Sequence, residues 1–203
     1  MKRVILASQS PRRSALLSAM GIRFETMVSG FDEQLDNDRD PVLVAKELAL
    51  GKAMAVARLH PDAFVIGADT IVSIDGHQLE KPRDEQDARD MLRLLAGKPN
   101  YVTTGLAVVC VNENVRLTGA DTTAVFFAPY DEKRVNEYVA TGDPMDKAGG
   151  YGIQALMGTM ITGIEGRYDT VVGLPCAPLA KLLAQCDIAG QVPDEETIRS
   201  VTD

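Results

Sequence analysis

The residues best suited to phosphate chemistry begin near the start of the chain. Arg12 and Arg13 follow Ser10 and Pro11, which suit the N-cap and the first position of a helix. A helix start carries unpaired N–H groups and the positive end of the helix dipole, so it favours an anion. Two arginines there oppose the dipole unless a phosphate or carboxylate neutralises them. We expect an anion site, although a capped helix with two solvated arginines fits the same pattern.

Asp69 is the strongest single candidate for proton chemistry. It follows the apolar run 63–66, in the stretch 67–70 that is expected to interrupt the strand before 71–74 resume it. A carboxylate that interrupts a buried strand is costly unless it is paired, bound to a metal or chemically active. Asp75-Gly76 predicts a hairpin turn, and Pro82 holds Lys81 extended on the returning strand. The hairpin is therefore expected to bring Lys81 near Asp69. A plain structural ion pair between these two residues is the alternative.

Two further positions point towards a ligand. Lys52 falls on the apolar stripe of a helix that Asp40-Pro41 starts, so its stem is expected to point toward the protein while its ammonium group reaches for a binding partner. A lysine whose ammonium group extends into water is the alternative. The stretch 143–154 has three glycines in four positions, which allow close approach of backbone to a ligand, and it ends in the polar Gln154.

Together these positions suit a polyphosphate bound with a divalent metal. Four cations and two carboxylates are involved: Arg12, Arg13, Lys52, Lys81, Glu33 and Asp69. Mg²⁺ and Mn²⁺ prefer oxygen ligands and are usually held by one or two carboxylates and substrate phosphates. No pattern indicates a Ser/His/Asp or Cys/His nucleophile, so water activated by metal and a carboxylate base is the expected attacker. The Walker pattern is absent, which disfavours an ordinary ATPase or kinase.

The elements that must position these residues alternate between strand and helix. With two predicted hairpins, at 71–81 and 101–127, the pattern indicates an α/β fold with a mixed sheet. A short strand is predicted over 24–31 and a last helix near 179–186. The 203 residues suit one domain, 1–203, or two small lobes that share a sheet, with 187–203 peripheral.

The composition excludes several classes of protein. A formal net charge of −8 argues against broad nucleic-acid binding, which needs a basic face. Three cysteines without C-x-x-C spacing and two histidines suggest neither a disulfide framework nor a zinc site. No run is apolar enough to span a bilayer and no signal-peptide pattern is present, so a cytoplasmic location without a membrane partner is expected.

Four strings of the chain, in order, resemble the Maf family of nucleoside triphosphate pyrophosphatases. They are Leu-Ala-Ser-Gln-Ser-Pro-Arg-Arg at 6–13, Gly-Ala-Asp-Thr at 67–70, Glu-Lys-Pro-Arg-Asp at 80–84 and Ala-Gly-Gly-Tyr-Gly-Ile-Gln at 148–154. The resemblance implies a mixed, twisted β-sheet with flanking helices and two lobes around a central cleft, related to the inosine triphosphatases. It also implies a homodimer that, with Mg²⁺ or Mn²⁺, splits a nucleoside triphosphate into the monophosphate and pyrophosphate.

The resemblance also assigns roles to single residues. Asp69 would accept the proton of water and, with Glu33, hold the metal. Triphosphate binding would fall to Ser8, Arg12, Arg13, Lys52 and Lys81. The residues that select the base would be Arg12, Thr70 and Gln154, and they match the branch that acts on dTTP and UTP.

One departure from the family concerns base preference. The family usually has glycine after the glutamine, where this chain has Ala155. If that glycine adopts a positive φ, alanine would strain or reshape the loop.

Other functions stay open at this stage. A related branch hydrolyses 7-methyl-GTP and tends to place an aromatic residue where Arg12 stands. A nucleotide-binding regulator of septum formation would bind without turnover, and an ordinary phosphomonoesterase would release orthophosphate first.

Overall fold

The computed structural model describes residues 2–31 and 39–202, so the predicted metal ligand Glu33 lies outside the described residues. The helices are α1 Pro11–Ala19, α2 Pro41–Ala57, α3 Glu85–Leu95, α4 Glu132–Val139, α5 Ile153–Leu156, α6 Tyr168–Val172, α7 Cys176–Ala184 and α8 Glu195–Thr202. The strands are β1 Val4–Leu6, β2 Glu25–Thr26, β3 Phe64–Ile74, β4 His77–Leu79, β5 Pro99–Cys110, β6 Val115–Phe127 and β7 Ile161–Glu165. In the described parts of the chain, no helix is long and apolar enough to cross a membrane.

The strands form one mixed sheet in the order β2-β1-β3-β5-β6-β7, with β4 paired to β3. β1 is parallel to both β2 and β3, and the remaining pairs are antiparallel. The predicted mixed α/β fold is confirmed. The turn between β3 and β4 has left-handed φ values at Asp75 (50°) and Gly76 (83°), as a two-residue hairpin turn requires.

Three elements differ from the sequence-based expectation. The helix predicted near 179–186 as the last one is α7, and a further helix, α8, follows it. The strand predicted over 24–31 is only Glu25–Thr26, because only these two residues pair with β1. The polar stretch 67–70, expected to interrupt a strand, lies within the continuous strand β3. β3 remains regular there because β5 pairs with it from Val65 to Ser73, which satisfies its backbone polar groups along one edge.

Helix α2 packs unusually close to the sheet. A Cβ atom at Gly67 of β3 would lie 2.1 Å from the carbonyl oxygen of Ala49, and one at Gly105 of β5 would lie 2.2 Å from that of Ala45. Real Cβ atoms do not approach this closely, so only glycine fits at either strand position. The buried Ala45, Ala49 and Ala53 of α2 complete this close contact. The packing brings Lys52 of α2 within reach of β3.

Candidate functional site

The candidate site lies where β3 changes its neighbour along one edge. β1 pairs with β3 as far as Ile66, and β4 pairs with it from Val72 onwards. Within the described chain, residues 67–71 have no strand partner on this edge, since β5 occupies the opposite one. In α/β sheets, such points where the strand order changes are preferred ligand sites. A cleft of about 340 Å³ lies against this stretch of β3.

The cleft brings together most of the predicted functional residues. Those that line it are Ser8, Arg12, Arg13, Lys52, Asp69, Thr70, Lys81 and Gln154. They come from the loop after β1, from α1, α2, β3 and α5, and from the segment after β4. Their individual roles stay predictions, and the placement shows that one ligand can contact residues far apart in the sequence.

Asp69 forms a buried ion pair with Lys52. The two atoms Lys52 Nζ and Asp69 Oδ1 are 2.5 Å apart, and the residues are 8% and 6% exposed. Because side chains alternate along a strand, Asp69 lies on the same face of β3 as Gly67, which is the face that α2 covers. Lys81, which the hairpin was predicted to bring near Asp69, is exposed and lines the same cleft as Asp69.

Thr70 lies on the opposite face of β3 and belongs to a chain of hydrogen bonds. The guanidinium group of Arg13 donates to Thr70 Oγ1 at 3.0 Å, and the hydroxyls of Thr70 and Thr104 are 2.9 Å apart. Thr104 Oγ1 donates its only proton to the carbonyl of Thr170 at 2.7 Å. Since each hydroxyl has one proton, Thr70 must donate to Thr104. Towards a ligand, Thr70 can therefore act only as an acceptor.

Arg13 connects α1 to the other cleft elements. Its Nε donates to the carbonyl of Gly173 at 2.8 Å, and its Nη1 donates to the carbonyl of Ala68 at 2.9 Å. Gly173 has a φ of 111°, and a Cβ atom there would lie 3.2 Å from Arg13 Nε. Arg13 thus acts as a brace between α1, β3 and the turn after α6, in addition to any contact with a ligand.

The start of α1 has the capping predicted from the sequence. Ser10 accepts a hydrogen bond from the N–H of Arg13 at 3.4 Å, and Pro11 is the first helical residue. Ser8 Oγ accepts from the N–H of Ser10 at 3.1 Å, which folds the loop against the helix start. Arg12 is half-buried in the first turn and lines the cleft. The positive end of α1 therefore faces the same space as Arg12.

The glycine-rich loop is held by a polar cluster that the sequence did not identify. Lys147 Nζ donates to the carboxylate of Asp143 at 2.8 Å, and Tyr138 donates to the same carboxylate at 2.7 Å. The N–H of Gly152 donates to the Tyr138 hydroxyl at 2.9 Å. Burial alone would raise the pKa of Asp143, but the hydrogen bonds from Lys147 and Tyr138 hold this pKa below its ordinary value. Burial, followed by the hydrogen bond to Asp143, raises the pKa of Tyr138.

The rest of the loop follows from its glycines and one buried tyrosine. Gly149 and Gly150 have φ values of 71° and 69°, which few other residues adopt. Tyr151 is buried, and its hydroxyl donates to Asn100 Oδ1 at 2.7 Å. Ala155 lies inside α5 without a positive φ, so the strain considered at this position does not arise.

Among the described residues that line the cleft, Asp69 is a buried carboxylate suited to a metal ion that also binds the substrate. They contain no group of three or more His, Cys, Asp or Glu side chains that could hold a metal ion by themselves. Asp69, buried at the cleft wall, provides a hard oxygen donor of the kind that Mg²⁺ or Mn²⁺ uses together with phosphates. The residues present therefore fit a metal held partly by the substrate.

A helix amino terminus, several cations and a buried carboxylate in one cleft define a site for an anionic, phosphate-bearing ligand. Comparison with known proteins narrows this class. The family model described as Maf-like protein matches residues 3–186. The chain therefore belongs to the Maf-like family.

Curated relatives are similar over nearly the whole chain. The dTTP/UTP pyrophosphatase of Pelotomaculum thermopropionicum is 45% identical over 183 residues, which are 90% of this chain and 96% of the relative. The dTTP/UTP pyrophosphatase of Koribacter versatilis is 44% identical over 185 residues, which are 91% of this chain and 95% of the relative. The dTTP/UTP pyrophosphatase of Desulfotalea psychrophila is 43% identical over 182 residues, 90% of this chain and 93% of the relative.

Several residues near the cleft had no signal in the sequence. Thr104 lies within a run of strand residues, and its hydrogen bonds depend on pairing across β3 and β5. Asp143 and Tyr138 come together only through the fold of the loop. The contact between Gln154 and α8 also joins distant segments.

Proposed function

We propose that this protein hydrolyses dTTP and UTP to the nucleoside monophosphate and pyrophosphate. The observation that carries the proposal is the buried Asp69–Lys52 pair, which faces the same cleft as the start of α1. The cleft therefore contains both a proton acceptor and a site for an anion, and hydrolysis of a phosphate anhydride needs both. The curated relatives that bear the name dTTP/UTP pyrophosphatase support the same reaction and the same bases.

In the proposed reaction, water attacks the α-phosphorus. Asp69 accepts one proton from the attacking water as the new P–O bond forms. The bond between the α-phosphorus and the α–β bridging oxygen breaks, and pyrophosphate leaves with the electron pair. Lys52, on the buried side of Asp69, holds the carboxylate in one position by their 2.5 Å contact. A carboxylate held in one position can accept the proton of a water molecule that is oriented for attack.

The cations of the cleft are proposed to bind the triphosphate. Arg12 and Lys81 line the cleft and carry the charge that the phosphates need, and Ser8 adds a hydroxyl. Arg13 contributes charge while its hydrogen bonds to Gly173 and Ala68 hold α1 against β3.

We propose Mg²⁺ or Mn²⁺ as the cofactor, held by Asp69, by Glu33 from outside the described residues, and by the substrate phosphates. When bound, the metal would neutralise part of the negative charge of the phosphates and polarise the α-phosphate that water attacks. The family resemblance further leads us to propose a homodimer in the cytoplasm. Light scattering after size exclusion tests the dimer, since a monomer mass at micromolar concentration would contradict it.

A phosphorus NMR time course tests the proposed reaction. Purified protein is incubated with dTTP, UTP, CTP or 7-methyl-GTP, each with Mg²⁺ and with Mn²⁺. We expect monophosphate and pyrophosphate from dTTP and UTP. Asp69→Asn should lower kcat by about 10³-fold, within the range for loss of a general base. Asp62→Asn is the matched control, because Asp62 is an exposed aspartate whose 3.9 Å ion pair with Arg3 lies outside the cleft.

Each alternative predicts a different result in this experiment. Turnover of 7-methyl-GTP in preference to dTTP would retain the reaction and overturn the base preference. Orthophosphate as the first product would indicate a phosphomonoesterase. Nucleotide binding without any product would favour a regulator of septum formation and overturn the enzyme proposal.

A further inference from the structure

Helix α8 packs on the elements that line the cleft. Ile198 and Thr202 are 4% and 8% exposed, and α8 lies against α1 and α6. The guanidinium group of Arg199 is 4.3 Å from the ring centre of Tyr168 in α6. The family match ends at residue 186, so α8 lies beyond the part shared with the family model. The sequence indicated a peripheral segment here, but the structure places a docked helix next to the cleft.

The carbonyl group of Thr202 contacts a residue of the cleft. The side-chain nitrogen Nε2 of Gln154 donates to this carbonyl at 3.3 Å. A main-chain carbonyl can only accept, so the NH₂ group of Gln154 must be the end that faces α8. The carboxamide oxygen Oε1 is then the end left for a ligand, and among the described residues it has no hydrogen-bond partner.

The orientation of this carboxamide has a consequence for base recognition. Thymine and uracil carry an N–H donor at N3, whereas cytosine has an acceptor nitrogen at that position. An oxygen of Gln154 directed at the base can therefore accept a hydrogen bond from N3–H of thymine or uracil. With cytosine, two acceptors would face each other. A carboxamide turned by 180° would present its NH₂ group and match cytosine instead.

We propose that α8 is a specificity element, which fixes the orientation of Gln154 through the carbonyl of Thr202. In this role Thr202 is a positioning residue that acts through Gln154 on bases with an N3–H group. The proposal rests on the proposed hydrolysis of dTTP and UTP. It adds that the preference for dTTP and UTP over CTP depends on α8, which lies outside the residues that the family model matches.

The test uses the chain shortened to end at Ser200, which removes the Thr202 carbonyl and keeps Ile198 and Arg199. We expect KM for dTTP and UTP to rise about tenfold, the equivalent of one hydrogen bond, while kcat changes less than twofold. The preference for dTTP over CTP should fall by a similar factor. Glu196→Ala is the matched control, since Glu196 is exposed on the same helix. Ile198→Ala weakens the docking of α8 without shortening the chain, and it replaces the short chain if that chain does not fold.

A second readout follows the contact without activity. The side-chain NH₂ signals of Gln154 in a nitrogen–proton NMR spectrum are assigned by their absence in Gln154→Glu. We expect them to shift in the short chain and to stay in place in Glu196→Ala. Unchanged signals, or a dTTP to CTP ratio within twofold of the full chain, would overturn the role of α8. A full chain that hydrolyses no triphosphate would overturn the proposed function, and the NMR result would still report on the contact.

Discussion

The two ends of the cleft are held in place by different means. At one end, Asp69 lies on the long strand β3 and Lys52 on the long helix α2, and α2 meets the backbone of the sheet at Gly67 of β3 and at Gly105 of β5. At the other end, Gln154 lies on a four-residue helix after a glycine-rich loop. That loop depends on hydrogen bonds between side chains, and Gln154 itself is held by α8.

Under the roles proposed for Asp69 and Gln154, this difference separates the reaction from the choice of base. Backbone contacts between regular elements leave little freedom, so substitutions at the Asp69 end are expected to affect folding together with chemistry. At the Gln154 end, Ile153 and Leu156 of α5 are buried, and a few polar contacts fix the Gln154 side chain and the loop before it. Such polar contacts can change with small effects on stability.

The largest effect is expected for Lys52→Met. It removes the 2.5 Å partner of the buried Asp69 carboxylate, and loss of one partner of a buried pair typically costs about 3–5 kcal/mol. Lys81→Met is the comparison, since Lys81 lines the same cleft but is exposed. It should change the free energy of unfolding by less than about 0.5 kcal/mol while it raises KM. Denaturant unfolding measures both, and equal destabilisation by the two variants would contradict the comparison.

Gly105→Ala tests the close contact between α2 and the sheet. The new Cβ would lie 2.2 Å from the backbone of Ala45, so α2 must shift, with an expected loss of about 1–3 kcal/mol in unfolding free energy. Gly163→Ala in β7 is the matched control, because its Cβ would have no atom within 4 Å. Similar stability for the two variants would show that α2 is not held by this contact.

Gly173→Ala tests the brace formed by Arg13. A Cβ there would lie 3.0 Å from Thr70 Oγ1 and 3.2 Å from Arg13 Nε, so KM for dTTP should rise about three- to tenfold. Gly158→Ala has the same kind of backbone strain, with a φ of 79° but no atom within 4 Å. Both variants should lose about 1 kcal/mol of stability, and only Gly173→Ala should change KM. An equal KM for the two variants would contradict the role of the brace.

The smallest effect concerns the loop at the Gln154 end. The pKa of Asp143 is below its ordinary value of 3.8 in the folded protein, so its carboxylate stabilises the fold above pH 3.8. This contribution is lost as the pH falls through the lower folded pKa. The difference in unfolding free energy between wild type and Asp143→Asn should therefore be at most about 1 kcal/mol at neutral pH. It should shrink below about pH 4, and a difference that stays constant down to pH 3 would contradict this account.

How much the sequence could predict also differs between the two ends. Asp69 and Lys52 were recognised because each interrupts an apolar pattern, and the helix start at Ser10 was recognised from its capping residues. The partner of Asp69 was not predicted, because it depends on how closely α2 approaches the sheet. That distance is set by Gly67 and Gly105, whose role appears only once the strands are paired.

At the Gln154 end, the sequence indicated a glycine-rich loop and little more. The bond from Tyr138 to Asp143 and the bond from Gln154 to Thr202 join segments whose separation is set by the fold. An acidic, weakly patterned segment such as 187–202 gives no sign that Ile188, Ile198 and Thr202 are buried. Glu33 lies outside the described residues, so its role as a metal ligand stays a prediction.

The most direct test of the central claim is to hydrolyse dTTP in water enriched in ¹⁸O and locate the label by phosphorus NMR. Attack of water on the α-phosphorus, with Asp69 as the proton acceptor, predicts that the label appears in the phosphate of dTMP and that pyrophosphate is unlabelled. Label in pyrophosphate or in orthophosphate would show attack on another phosphorus and would contradict the account of this cleft.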